Sequence, residues 1–161
     1  MPTHGPGHLK AFDYIGFYRY FLTFCCHSKQ RIFTSSTVVG SVMLQIDRAA
    51  NDEQFALVAY CFMPDHVHFL IEALAETSDG LRFMTRAKQL SGFHYGHAHR
   101  RRLWQRYGFE RVLRDDEDTR GVARYILENP IRRGLVTCVQ DYPFVGSSVY
   151  TLDELLEGST T

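Results

Sequence analysis

The chain has 161 residues, of which 45% are apolar, 14% aromatic and 22% charged. This composition excludes collagen-like, low-complexity and wholly disordered chains, and no apolar run approaches the ~20 residues that span a bilayer. The formal net charge is +0, from 18 basic and 18 acidic residues, which argues against a binder that is basic over its whole surface.

The length points to one domain with a sizeable core. Residues 1–13 read as a flexible His/Gly/Pro-rich lead-in without the apolar stretch of a secretory signal, and residues 14–161 as a single domain. A cytoplasmic location is expected. In chain order, Tyr14 to Cys26 is dense in aromatic and β-branched residues and reads as a strand. Ser35 or Ser36 caps a helix whose Val38, Val39, Val42, Met43 and Ile46 follow a 3.6 period. Phe55 to Phe62 is a buried strand, Met63-Pro64-Asp65 a tight turn, and His66 to Ile71 a second strand, together a hairpin. Asp79-Gly80 precedes a long helix, about 81–97. A strand is expected over 108–113 and a helix over 117–128, stopped by Pro130. Pro143 to Ser148 reads as a loop, and 152–156 as a short terminal helix. The fold class is therefore α+β, an antiparallel sheet with helices packed on it. Cys25, Cys26, Cys61 and Cys138 lack CxxC spacing and read as reduced thiols filling the core.

The neutral total hides an asymmetry. Between Arg82 and Phe109 lie seven basic residues (Arg82, Arg86, Lys88, Arg100, Arg101, Arg102 and Arg106) and no Asp or Glu. Helix faces usually mix signs, so a run of one sign is the expected footprint of a phosphate backbone. A solvated helix face is the plainer alternative.

Two local patterns carry chemistry. His66-Val67-His68 lies in a strand, where residues i and i+2 share a face, so both imidazoles project side by side and could chelate one divalent cation with oxygen donors completing the shell. Two partly exposed strand histidines are the alternative. Tyr125 and Asn129 are i and i+4 on the tyrosine helix and face the same way. A phenol and a carboxamide would then share one patch; the alternative places Tyr125 in the core and Asn129 at a helix end.

Taken together, YCFMPDHVHFLIE, LWQRYGFERVLRDDED and RYILENPIRRGLV resemble the single-tyrosine HUH transposases, and within them the REP-associated tyrosine transposases. The likeness covers nearly all of 14–150. It implies a ferredoxin-like or RRM-like HUH fold, with His66, His68 and Asn129 as metal ligands and Tyr125 as nucleophile. It implies a transposase that nicks and rejoins single-stranded, hairpin-bearing DNA through a 5′-phosphotyrosine link, with no need for ATP. The implied cofactor is a divalent ion, Mg²⁺ with Mn²⁺ as a good substitute, acting as a Lewis acid on the phosphoryl oxygen. Arg86, Lys88, Arg100, Arg101 and Arg102 become candidates for DNA contact, and His94, Tyr95 and Trp104 for stacking on unpaired bases, with a core position the alternative for Trp104. Both a homodimer and a monomer occur in such families. A domesticated, non-catalytic single-stranded nucleic-acid-binding module of the same fold is the competing reading. A water-using metallohydrolase is a third reading, weakened by the lack of a carboxylate base evident near the histidine pair. Relatives often carry a Trp and then Ser-Ser-Tyr where this chain has Tyr142-Pro143-Phe144 and Ser147-Ser148-Val149-Tyr150, so no role is transferred there.

Overall fold

A computed structural model describes residues 12–157. The expected lead-in lies outside the described residues except for Phe12 and Asp13. Five strands and five α-helices follow in the order β1 (Arg19–Cys25), α1 (Ser36–Asp52), β2 (Phe55–Met63), β3 (His66–Ala73), α2 (Gly80–His99), β4 (Phe109–Val112), α3 (Thr119–Leu127), α4 (Asn129–Arg132), β5 (Val145–Gly146) and α5 (Leu152–Leu156). The sheet is antiparallel with strand order β4-β1-β3-β2-β5. The first six elements form the βαββαβ pattern of ferredoxin-like folds, as expected from the sequence.

Strand parity sorts the side chains onto two faces. On one face Tyr20, Leu22 and Phe24 of β1 join Val67, Phe69 and Ile71 of β3 beneath α1 and α2. On the other face Leu70 of β3 and Ala59, Cys61 and Met63 of β2 pack against Ala123, Ile126 and Leu127 of α3 and Leu155 of α5. His66 and His68 fall on this second face because they alternate with buried Val67 and Phe69. A register shift between Leu57 and Ala59 lets β2 follow both cores.

The helix ends are set by local chemistry. The Asp79 carboxylate accepts from the Leu81 and Arg82 amides and opens α2. Asp118 does the same for α3 through the Arg120 and Gly121 amides, two residues later than expected. Thr151 and Glu154 form a capping box on α5. Gly80 is required where α2 meets β1: a Cβ there would lie 2.6 Å from the Tyr20 ring.

Three expectations need correction. β1 begins at Arg19 rather than Tyr14. The helix before Pro130 ends at Leu127 as expected, but the chain is not a loop from there: Asn129 starts the new helix α4 and places Pro130 in its first turn, where a missing N–H costs nothing. The loop around Pro143 contains β5, a two-residue strand too short to leave a periodic signal. Among the thiols Cys26 and Cys61 are buried, whereas Cys25 is half-buried and Cys138 is exposed.

Candidate metal centre and nucleic-acid interface

Cross-strand register builds the centre. Cys25 lies opposite His66, and Thr23 opposite His68, so four side chains form a square on one face of the β1–β3 pair. Each imidazole is gripped at Nδ1. The Nδ1–H of His66 donates to the Asp65 carboxylate at 2.7 Å, and His68 Nδ1 meets the Thr23 hydroxyl oxygen at 2.8 Å. The two Nε2 atoms then face each other at 3.1 Å. With the His66 proton held on Nδ1 by Asp65, its Nε2 presents a lone pair. Two lone pairs at this distance repel unless a proton or a cation lies between them. A hydroxyl both donates and accepts, so Thr23 suits either tautomer of His68: a proton on Nε2 shared with His66, or one on Nδ1 with both Nε2 lone pairs free. In the second tautomer both imidazoles would be available to hold one divalent ion.

His68 is kept neutral. Burial first, then the neighbouring His66, Arg132 and Arg133, push its pKa down from 6.5 to about 3. It is therefore a nitrogen donor at any physiological pH.

Tyr125 and Asn129 differ in setting. Tyr125 is 57% exposed on α3, on the histidine side of the sheet. Its ring centre lies 6.4 Å from that of Phe21, which in turn lies 5.6 Å from His68. The Arg132 guanidinium sits 3.8 Å above the Tyr125 ring and donates to the Tyr125 carbonyl at 2.6 Å. Asn129 is buried, and its amide nitrogen is the one enclosed side-chain polar atom without a hydrogen-bond partner among the described residues. The expected single patch is thus split: the helix breaks at Glu128, and the phenol stays outside while the carboxamide turns in. An amide's oxygen and nitrogen are interchangeable in shape. An enclosed amide group without a partner costs ~1–3 kcal/mol, so this carboxamide retains bonding capacity for a further partner.

The basic segment divides differently from expectation. Arg86 pairs with Asp52 at 2.7 Å and Arg82 with Glu53 at 3.5 Å, tying α2 to the end of α1 on the far face of the sheet. Lys88 reaches the Gln105 and Arg106 carbonyls at 3.4 Å, and Arg101 donates to Gln30 at 2.8 Å. Arg102 bonds the Trp104 carbonyl at 2.9 Å, and Arg100 caps α2 in the left-handed region at φ 57°. Trp104 is a correction: it is 5% exposed, packs on Phe24 and Phe33 and donates to Ser91 at 2.9 Å, so it is core and not a stacking platform. Tyr95 is likewise buried, while His94 is exposed.

Sequence reasoning missed the cations that line the histidine groove: Lys29, Arg31 and Arg133. None makes an ion pair with a described residue. The signal was present in the pairing order. β1 ends beside the start of β3, so whatever follows Cys25 lies near His66, and α4 delivers Arg133 from the other side.

Known proteins agree with this architecture. The sequence profile of the family described as "Transposase IS200 like" matches residues 17–129. A Haemophilus influenzae protein provisionally named a REP-associated tyrosine transposase is 33% identical over 102 residues, covering 56% of this chain and 57% of its own length. The chain thus spans little more than half of that relative. The REP-associated tyrosine transposase of Escherichia coli K12 is 28% identical over 130 residues, covering 77% of this chain and 75% of its own. A solved structure of a REP-associated tyrosine transposase bound to a REP hairpin superposes with a TM-score of 0.69 at 22% identity, over 86% of this chain and 81% of that one. The profile match runs through both histidines, the tyrosine and the asparagine, and the chain belongs to the IS200-like transposase family.

Proposed function

We propose that the chain is a metal-dependent strand transferase that nicks and rejoins single-stranded, hairpin-bearing DNA through a 5′-phosphotyrosine link to Tyr125. The observation that carries this reading is the convergence of the His66 and His68 Nε2 atoms at 3.1 Å, with both Nδ1 atoms engaged by Asp65 and Thr23. A pure binding module has no use for such a pair. His66, His68 and the Asn129 amide oxygen would hold the ion. Two neutral imidazoles and a neutral amide leave its full charge for the phosphate, and this donor set accepts Mn²⁺ more readily than Mg²⁺, which favours oxygen alone. When bound, a divalent ion supplies Lewis-acid polarisation of the phosphoryl oxygen.

The chain's own groups do the rest. The Tyr125 oxygen forms a bond to phosphorus as the bond to the 3′ oxygen breaks. The phenol gives up its proton, and the departing 3′ oxygen takes one up to become a hydroxyl. A 3′-hydroxyl from a second strand runs the same exchange backwards, so the number of phosphoester bonds is unchanged. Exposure of the phenol lets it follow its strand, and Arg132 stacked on the ring holds its starting position. Lys29, Arg31 and Arg133 line the same groove and would meet the phosphates that flank the scissile bond. Hairpin DNA as substrate is supported by the neighbour whose structure holds a REP hairpin.

The test uses labelled single strands carrying the hairpins that flank the gene, with Mn²⁺ or EDTA. A covalent adduct that needs Mn²⁺, carries the label 3′ of the nick and is lost in Tyr125→Phe is expected. Mn²⁺-dependent cleavage that leaves no adduct and survives Tyr125→Phe would refute the tyrosine mechanism and favour a water nucleophile. Binding without cleavage would favour the non-catalytic module.

A further inference from the structure

We propose a seat for one unstacked DNA base at the outer edge of the sheet, in the cleft of about 380 Å³ between α2 and β4. The inference rests on the single-strand reading above and adds a specificity subsite to it. The cleft joins the histidine groove, since Thr23 and Phe109 line both. Register explains the continuity: Phe109 lies opposite Thr23, and Thr23 opposite His68, so the three side chains share one face in a row across three strands. Two strand spacings of ~4.8 Å put Phe109 about 10 Å from His68. A base over Phe109 would thus lie near the phosphate held at the histidine pair.

The cleft's chemistry suits such an occupant. Phe109 is 56% exposed and Tyr107 40% exposed, a high degree of exposure for aromatic rings with no core role, and base stacking on aromatic faces is how single strands are gripped without pairing. Lys88 forms part of the wall. Its ammonium has three donors, yet its two carbonyl contacts are both long at 3.4 Å, which leaves capacity for a base edge or phosphate oxygen. Arg106 lies 5.2 Å over the Tyr107 ring at the rim. Gly108 separates the two exposed aromatics. A Cβ there would collide with the Thr23 carbonyl oxygen, so the strand edge beside the cleft must stay bare.

The experiment is an abasic scan. Fluorescence anisotropy in EDTA reports affinity for the flanking single strand, with one abasic residue moved through the unpaired segment at the hairpin foot. Wild type should lose about 10-fold in affinity at one position. Phe109→Ala should bind the intact strand about 10-fold more weakly and become indifferent to that abasic site. Thr85→Trp, a change at an exposed α2 position on the cleft wall, should do the same by filling the space, and both should keep the wild-type urea midpoint. A flat scan, or variants that remain as sensitive as wild type, would overturn the proposal, as would failure of wild type to bind the intact strand. Because EDTA removes the chemistry, the two readings fail separately: an adduct with a flat scan refutes the base seat alone, and a structured scan without an adduct refutes the transesterification alone.

Discussion

Lowering the pH from 7 to 5 in metal-free buffer should destabilise the protein through one residue, His68. Its pKa is 6.5 when unfolded and about 3 when folded, chiefly through burial. The stabilising share of this group is full above pH 6.5 and is lost progressively as the pH falls toward 3, because the unfolded chain then binds a proton that the folded chain refuses. At pH 5 the unfolded imidazole is ~1.5 pH units below its pKa while the folded one is still neutral. At ~1.36 kcal/mol per unit the loss is about 2 kcal/mol, a large share of the 5–15 kcal/mol stability typical of a small domain. Urea titrations at several pH values measure it. The single tryptophan, Trp104, reports unfolding directly because it is buried at 5% exposure against Phe24 and Phe33. His68→Gln supplies the comparison. It changes the absolute stability by an amount of its own, but the slope between pH 7 and pH 5 should flatten by the same 2 kcal/mol. Parallel slopes for wild type and His68→Gln would refute the reasoning, since some other group would then carry the acid sensitivity.

Three further predictions concern this site and the strand edge beside it. Thr23→Val keeps the side-chain shape and removes the hydroxyl at His68 Nδ1; Mn²⁺ affinity, read by electron paramagnetic resonance, should fall ~10- to 100-fold, while stability changes by only ~1 kcal/mol. Unchanged Mn²⁺ affinity would remove Thr23 from any part in orienting the ligand. Gly108→Ala should cost ~1–3 kcal/mol in urea unfolding, because the new methyl collides with the Thr23 carbonyl and β4 must lift from β1; a wild-type midpoint would contradict the tight β1–β4 approach. Arg132→Ala should slow adduct formation at saturating strand by ~10- to 100-fold through a misplaced phenol. Arg132→Lys should fail to restore it, because an ammonium cannot stack flat on the ring, and full rescue by Lys would show that charge alone matters.

Features that depend on neighbours along the chain were legible in the sequence. The alternation through β3 put His66 and His68 on one face, and Asp79 marked the start of α2 within a residue or two. These follow from the 2.0 and 3.6 periods and from capping chemistry, which need only a few consecutive residues. The tyrosine motif also stood out, because its residues sit close together between Arg124 and Val136. Tertiary structure alone decided which strands pair. That pairing brings Thr23 and the cations Lys29 and Arg31 to the histidines, and the turn after α4 brings Arg133, whereas Asp65 is already the neighbour of His66 in sequence. It also decided that the basic run on α2 is partly spent on Asp52 and Glu53, and that Trp104 is enclosed rather than offered to bases. Charge and aromaticity can be read from a sequence, but whether a side chain meets solvent or a partner depends on contacts between residues far apart in the chain, which no local period encodes.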